Sequence, residues 1–351
     1  MVSGPESQPG NQLQGHHRAA VVAGVGSWLP ARVVTNHDLS AELDTSDEWI
    51  RSRTGIAQRH VIDEGMATSD LAVEAGFRAL KSAGASDVDA VLVATTTPDR
   101  PCPATAPDVA GRLGLGPVPA FDVAAVCSGF VYSLAVASGF IAAGIAERVL
   151  VIGADAYSTI LDPQDRTTRA VFGDGAGAVV LRAGTADEEG ALGPYDLGSD
   201  GSLADLITIP AGGSRQRSAP GQSVERADHY FQMQGKRVYR NAVAHMSQSA
   251  RRVLASAGWS ADTLDHVVAH QANQRILDAV AAELDVPGER VVSQIERVGN
   301  TSAASIPLAL ADAAASGTLR PGQRVLLTAF GGGLTWASTV LRWPDVTAVT
   351  S

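Results

Sequence analysis

Asp89-Ala-Val-Leu-Val-Ala returns further along the chain as Asp265-His-Val-Val-Ala-His, an offset of 265 − 89 = 176 positions. Arg148-Val-Leu-Val-Ile returns as Arg324-Val-Leu-Leu-Thr at the same offset. Short apolar runs rich in β-branched residues read as strands buried on both faces. One matching pair carries little weight, but two pairs at one spacing indicate an internal repeat. Between the members of each pair lies a strand–turn–helix pattern. Ala120-Phe-Asp-Val-Ala-Ala-Val runs into Cys127, and Arg290-Val-Val-Ser-Gln precedes Asn300. Helical patterns fill the gaps over 70–83, 129–146, 232–257 and 273–284. Alternating buried strands and helices predict an internally duplicated α/β fold with helices covering both sheet faces. The first half is placed at 19–185 and the second at 186–351. Turns at corresponding strand ends would then face one cleft between the halves.

Composition narrows the function. Of the 351 residues, 45% are hydrophobic, enough for a substantial core. No run of about 18 apolar residues occurs, so no membrane span is expected. Residues 1–18 are polar and rich in Gly, Gln and His, without the apolar stretch of a secretory signal; a loose tail is expected there. A net charge of −10 argues against a nucleic-acid surface. The two cysteines, Cys102 and Cys127, make no disulfide framework, which points to a reduced, cytoplasmic setting. No metal-ligand spacing stands out.

Three turns carry chemistry. Cys127 follows an apolar strand and opens a helical pattern, where the helix dipole would lower its pKa toward the thiolate. An inert buried cysteine would read the same way. His270 ends a strand, where an imidazole can meet a ligand or serve structure. Asn300 stands in Val298-Gly-Asn-Thr-Ser-Ala-Ala-Ser, a turn into a helix, and an N-cap role fits it equally well. Phe330-Gly-Gly-Gly-Leu-Thr-Trp follows a strand, and its amides could build an oxyanion hole. Phe172-Gly-Asp-Gly-Ala-Gly lacks the full dinucleotide fingerprint and reads as a tight turn into the strand at Ala178.

Taken together, Thr45-Ser-Asp-Glu-Trp-Ile-Arg-Ser-Arg-Thr-Gly-Ile, Cys127-Ser-Gly-Phe, Asp165-Arg-Thr-Thr, Phe172-Gly-Asp-Gly-Ala-Gly, His270-Gln-Ala-Asn-Gln-Arg-Ile, Gly299-Asn-Thr-Ser-Ala-Ala-Ser-Ile-Pro and Gly331-Gly-Gly-Leu-Thr-Trp give the chain a family likeness. It resembles β-ketoacyl-acyl-carrier-protein synthase III from about Ala20 to Arg342. The resemblance implies the thiolase fold, layered α-β-α-β-α, and a homodimer. It implies that Cys127 takes an acyl group from acyl-CoA and that malonyl-acyl-carrier protein then loses CO2 and attacks the thioester. His270 and Asn300 would hold the enolate, and the amides of Cys127 and Gly332 would form the oxyanion hole. No cofactor is implied, CoA arriving as the substrate thioester.

The resemblance also assigns the binding residues. Trp49 and Arg166 would sandwich the adenine, with Arg53 near the nucleotide end. Gly235 and Asn273 would line the pantetheine tunnel. Cys102 and Phe330 would bound the acyl pocket, Cys102 reaching it from across the dimer. A small thiol there implies a starter larger than acetyl. Arg240 and Arg275 would meet an acidic carrier protein, although Ala282-Glu283 stands where a relative can carry two lysines. Polyketide priming with a starter other than acetyl is a close alternative, and acyl transfer to a hydroxyl or amine in a polyketide pathway, without condensation, is a second. A non-catalytic partner subunit or a cysteine hydrolase are others.

Overall fold

The computed structural model describes residues 18–219, 221 and 223–351. Five strands form the first sheet: β1 (Arg18–Trp28), β2 (Ala90–Ala94), β3 (Ala120–Val123), β4 (Arg148–Asp155) and β5 (Gly175–Thr185). Four form the second: β6 (Tyr195–Ser199), β7 (His266–Ala269), β8 (Arg324–Gly331) and β9 (Thr335–Arg342). The first sheet runs β1-β5-β4-β2-β3 and the second β6-β9-β8-β7. In each, an antiparallel triplet is followed by a parallel neighbour. The repeat therefore extends to register. Ala90 pairs with Val149 and, 176 positions on, His266 pairs with Val325. A single parallel bridge from Val267 to Val291 stands where the first sheet has β3.

Six helices position the cleft: α1 (Asp47–Thr54), α2 (Thr68–Ala83), α3 (Gly129–Ala142), α4 (Gly235–Ala257), α5 (Gln274–Glu283) and α6 (Ser305–Ala315). The period-two geometry of strands sorts their side chains into layers. Val149 and Val151 of β4, with Val325 and Leu327 of β8, pack against Phe130 and Leu134 of α3 and Ile306 and Leu310 of α6. Leu150 and Ile152 point the other way, onto Leu71 and Ala75 of α2. Leu326 points onto the face covered by Met246 and Ala250 of α4 and Leu277 of α5. The result is five layers, α-β-α-β-α, with α3 and α6 between the sheets. This is the expected architecture.

Boundaries differ from expectation in small ways. The helix expected over 129–146 ends at Ala142, and that expected from 232 begins at Gly235. Gln232 and Met233 instead form a short strand against Ile207 and Thr208. Of the tail expected over 1–18, residues 1–17 lie outside the described residues, and Arg18 opens β1, paired with Thr185. No helix among the described residues is long and apolar enough to cross a membrane.

Candidate active site

Cys127 sits in one turn of 3-10 helix, Val126–Ser128, just before α3. Val126 has φ +47, a left-handed conformation that costs a β-branched residue energy and that the surroundings must hold. Ser128 Oγ donates to the Ala125 carbonyl at 2.8 Å and shares a 2.7 Å hydrogen bond with Thr335. Glycine at 331 is required here, because a Cβ would stand 2.8 Å from the Cys127 amide nitrogen. The expected depressed thiol pKa is not found. Burial pushes it up to about 12; a hydrogen bond to Ser302 opposes the rise and the nearby Asp155 charge adds to it. The α-helix begins only at Gly129, two residues past the thiol, and desolvation is the largest influence on it. Burial thus favours the neutral thiol at Cys127.

His270 follows β7, its amide donating to the Thr328 carbonyl at 2.8 Å. Its Nδ1 lies 2.7 Å from Ser305 Oγ at the start of α6. With the Ser305 hydroxyl donating to Nδ1, Nε2 carries the hydrogen. Burial pulls the imidazole pKa down to about 3, so the ring is neutral and acts as an N–H donor rather than a cation. A serine rather than a carboxylate at Nδ1 also departs from a hydrolase triad.

Thr301, not Asn300, holds the N-cap position of this turn, and Asn300 acts on it from one residue earlier. Asn300 Oδ1 accepts the Ser302 amide at 2.9 Å. That fixes the carboxamide orientation and leaves Nδ2 as a donor, with a long 3.4 Å contact to the Ala272 carbonyl. Its backbone is held from outside the turn: Asn300 N–H donates to the Val171 carbonyl, and Gly173 N–H donates to that of Asn300. The glycine cluster at 172–177 thus positions Asn300 and then enters β5. Asp174 within it is buried and accepts from Ile62 N–H and Ser158.

A cleft of about 1140 Å³ brings these turns together. Cys127, His270, Asn300 and Phe330 line it, with Arg53, Gly235, Asn273, Arg240 and Arg275. Gly332 lies beside the cysteine turn, where its Cβ would be 3.4 Å from Val126. Trp49 and Arg166 stand outside the lining. Ser46 caps α1 through the Trp49 amide at 3.1 Å, and the indole is stacked by Arg53 at 4.7 Å and Arg166 at 5.3 Å. Asn273 caps α5 and donates to the Arg53 carbonyl at 3.1 Å, tying α1 to α5. Cys102 is exposed and is not part of this lining. Sequence reading missed Ser302, Asp155 and Ser305. The offset of 176 was a signal for one of them, since it lays Ser302 on Val126.

Two neutral donors and a thiol lining one largely apolar cleft suit acyl transfer through oxyanions. The comparisons agree. The family models described as 3-oxoacyl-[acyl-carrier-protein] synthase III and its C-terminal part match residues 121–201 and 254–343. A β-ketoacyl-[acyl-carrier-protein] synthase III of Streptomyces coelicolor is 63% identical over 331 residues, 94% of this chain and 99% of that protein. The chain belongs to the β-ketoacyl-[acyl-carrier-protein] synthase III family. It is an acyltransferase of thiolase fold. The Pseudomonas aeruginosa synthase III crystal structure, 56% identical, superimposes with a TM-score of 0.88 over 94% of this chain and 99% of that one. A priming β-ketosynthase of a polyketide pathway, 35% identical, gives 0.87 over 96% and 99%.

Proposed function

We propose that this synthase III loads an acyl group from acyl-CoA onto Cys127 and condenses it with malonyl-acyl-carrier protein. The observation that carries the reading is the single cleft in which the Cys127 thiol meets two neutral N–H donors, His270 and Asn300. Loading forms the Cys127 thioester and releases CoA. Decarboxylation leaves an enolate, whose oxygen His270 Nε2–H and Asn300 Nδ2–H hold. The enolate carbon attacks the thioester, and the tetrahedral oxyanion takes the Cys127 and Gly332 amides. No base is needed, because loss of CO2 supplies the carbanion. Arg53, Gly235 and Asn273 would line the path of CoA, with Arg166 swinging off Trp49 to admit the adenine. Arg240 and Arg275 at the mouth would meet the acidic carrier protein.

The same reading takes a second copy of the chain as partner. The outer edge of β3 has no neighbouring strand among the described residues, which supports pairing there. Cys102 would then close the far end of the partner's acyl pocket, and a thiol in that place favours a starter larger than acetyl. Intact-protein mass spectrometry after competition among acyl-CoAs of increasing length tests this. The expected result is one adduct, longer than acetyl, absent from Cys127→Ala and shortened in Cys102→Phe. Preferential acetyl loading, or an adduct that survives Cys127→Ala, would overturn it.

A further inference from the structure

A serine hydroxyl can donate or accept a hydrogen bond, and which it does at His270 decides where that ring carries its hydrogen. Ser305 opens α6 and is fully buried. Its Oγ lies 2.7 Å from His270 Nδ1 and accepts the Gln271 amide at 3.4 Å. Among the described residues Oγ makes no other hydrogen bond. A backbone N–H can only donate, so Nδ1 is the acceptor left for the buried hydroxyl hydrogen. The Gln271 amide is itself held in place. The Gln271 side chain is fully buried, donates to the Ala269 and Val292 carbonyls at 2.8 and 3.1 Å, and accepts the Gln294 amide at 3.1 Å. The repeat carries an independent sign. Going back 176 positions takes His270 to Ala94 and Ser305 to Gly129. These two also meet: a Cβ on Gly129 would lie 3.2 Å from that of Ala94. One contact is built twice, and only the half that carries the imidazole places a hydroxyl in it.

We propose that Ser305 is a positioning residue that fixes His270 as an N–H donor at Nε2, and that it serves CO2 release rather than acyl loading. The proposal rests on the enolate-holding role given to His270 above. No proton passes between the two side chains: the hydroxyl hydrogen stays on Oγ and the ring hydrogen on Nε2. Without the hydroxyl, the Nδ1–H and Nε2–H forms of the neutral ring compete. A ring in the Nδ1–H form presents a lone pair at Nε2, which repels an enolate oxygen instead of holding it. Loading makes no use of a donor at Nε2 and is spared.

The test joins nitrogen NMR of protein carrying isotope-labelled histidine, near neutral pH, to two rates: CO2 release from malonyl-acyl-carrier protein and acyl loading of Cys127. The His270 signals are identified by their loss in His270→Ala. The parent should show Nε2 protonated and Nδ1 bare. Ser305→Ala should show a mixture of the two forms and lower kcat for CO2 release about tenfold, with KM and the loading rate kept. Ser305→Thr, which retains a hydroxyl, should restore the parental spectrum and most of the rate; Ser305→Val, of nearly the same shape, should not. An Nδ1-bound hydrogen in the parent overturns the proposal before any variant is made. So does a Ser305→Ala protein with parental spectrum and CO2 release, or one that loses loading and CO2 release equally, as a merely structural serine would. If Ser305→Ala does not fold, the threonine and valine pair decides, and equal rates in the two overturn the proposal. A parent in the Nε2–H form, lost in Ser305→Ala, that releases no CO2 would sink the proposed function and leave the positioning of His270 standing.

Discussion

The turn at Val126–Ser128 and the turn at Ser302–Ala304 are the same structure twice. Both are 3-10 turns, 176 positions apart, and both begin on a residue in the left-handed region, Val126 at φ +47 and Ser302 at φ +50. Each leads into one of the two helices between the sheets, and each meets the end of a strand from the other half. There the halves part. The second-half turn meets Asp155, whose carboxylate accepts the Ala303 amide. The first-half turn meets Gly331, the residue equivalent to Asp155, which packs against the Cys127 amide and carries no side chain to accept it. Duplication supplied one frame twice. On the proposed reading, the chemistry comes from a few exchanges within it: Cys127 against Ala303, Gly331 against Asp155, His270 against Ala94.

The comparison can be broken where effects are largest. His270→Ala and Asn300→Ala should each slow CO2 release from malonyl-acyl-carrier protein by about 10²- to 10³-fold, about 3–4 kcal/mol for one oxyanion donor. The Cys127 adduct should still form in both. Equal loss of loading and decarboxylation in steady-state and single-turnover assays would instead tie these residues to the thiol. Gly331→Ala brings a methyl to 2.8 Å from the Cys127 amide, so that turn or strand must shift. Acyl loading should fall by about 10²-fold while CO2 release falls less. Unchanged loading in a folded variant would remove the open amide from the account. The smallest effect belongs to the rim. Arg240→Ala with Arg275→Ala should raise the KM for the carrier protein about three- to tenfold at low salt, with kcat kept. A KM insensitive to both charge and salt would move the docking surface elsewhere.

Much of this was legible in the sequence because buried strands leave a strong mark. Leu150 and Val149 are both apolar because both faces of β4 are covered, so the strand reads as an unbroken run and its echo at 324 is easy to see. Cys127, His270 and Asn300 stood out because each ends a strand or opens a turn. What failed to show was anything set by the meeting of the halves. The raised pKa of Cys127 comes from burial in the folded chain, which a local helix-dipole argument cannot weigh. Ser302 and Asp155 look ordinary in their own segments, and gain meaning only when each half is laid against the other. Asn300 was ambiguous for a different reason: its two carboxamide ends meet two different partners.

The most direct measurement moves the thiol from one turn to the other. Cys127→Ala combined with Ala303→Cys keeps a cysteine in the same left-handed 3-10 turn, but beside the capped amide instead of the open one. With folding checked by thermal melting, the doubly substituted protein is exposed to the acyl-CoA that loads the parent, and the intact mass is read. The account predicts no acyl adduct at all, because Asp155 holds the amide that an oxyanion would need. An adduct on the moved thiol, formed at a rate near the parent's, would contradict it.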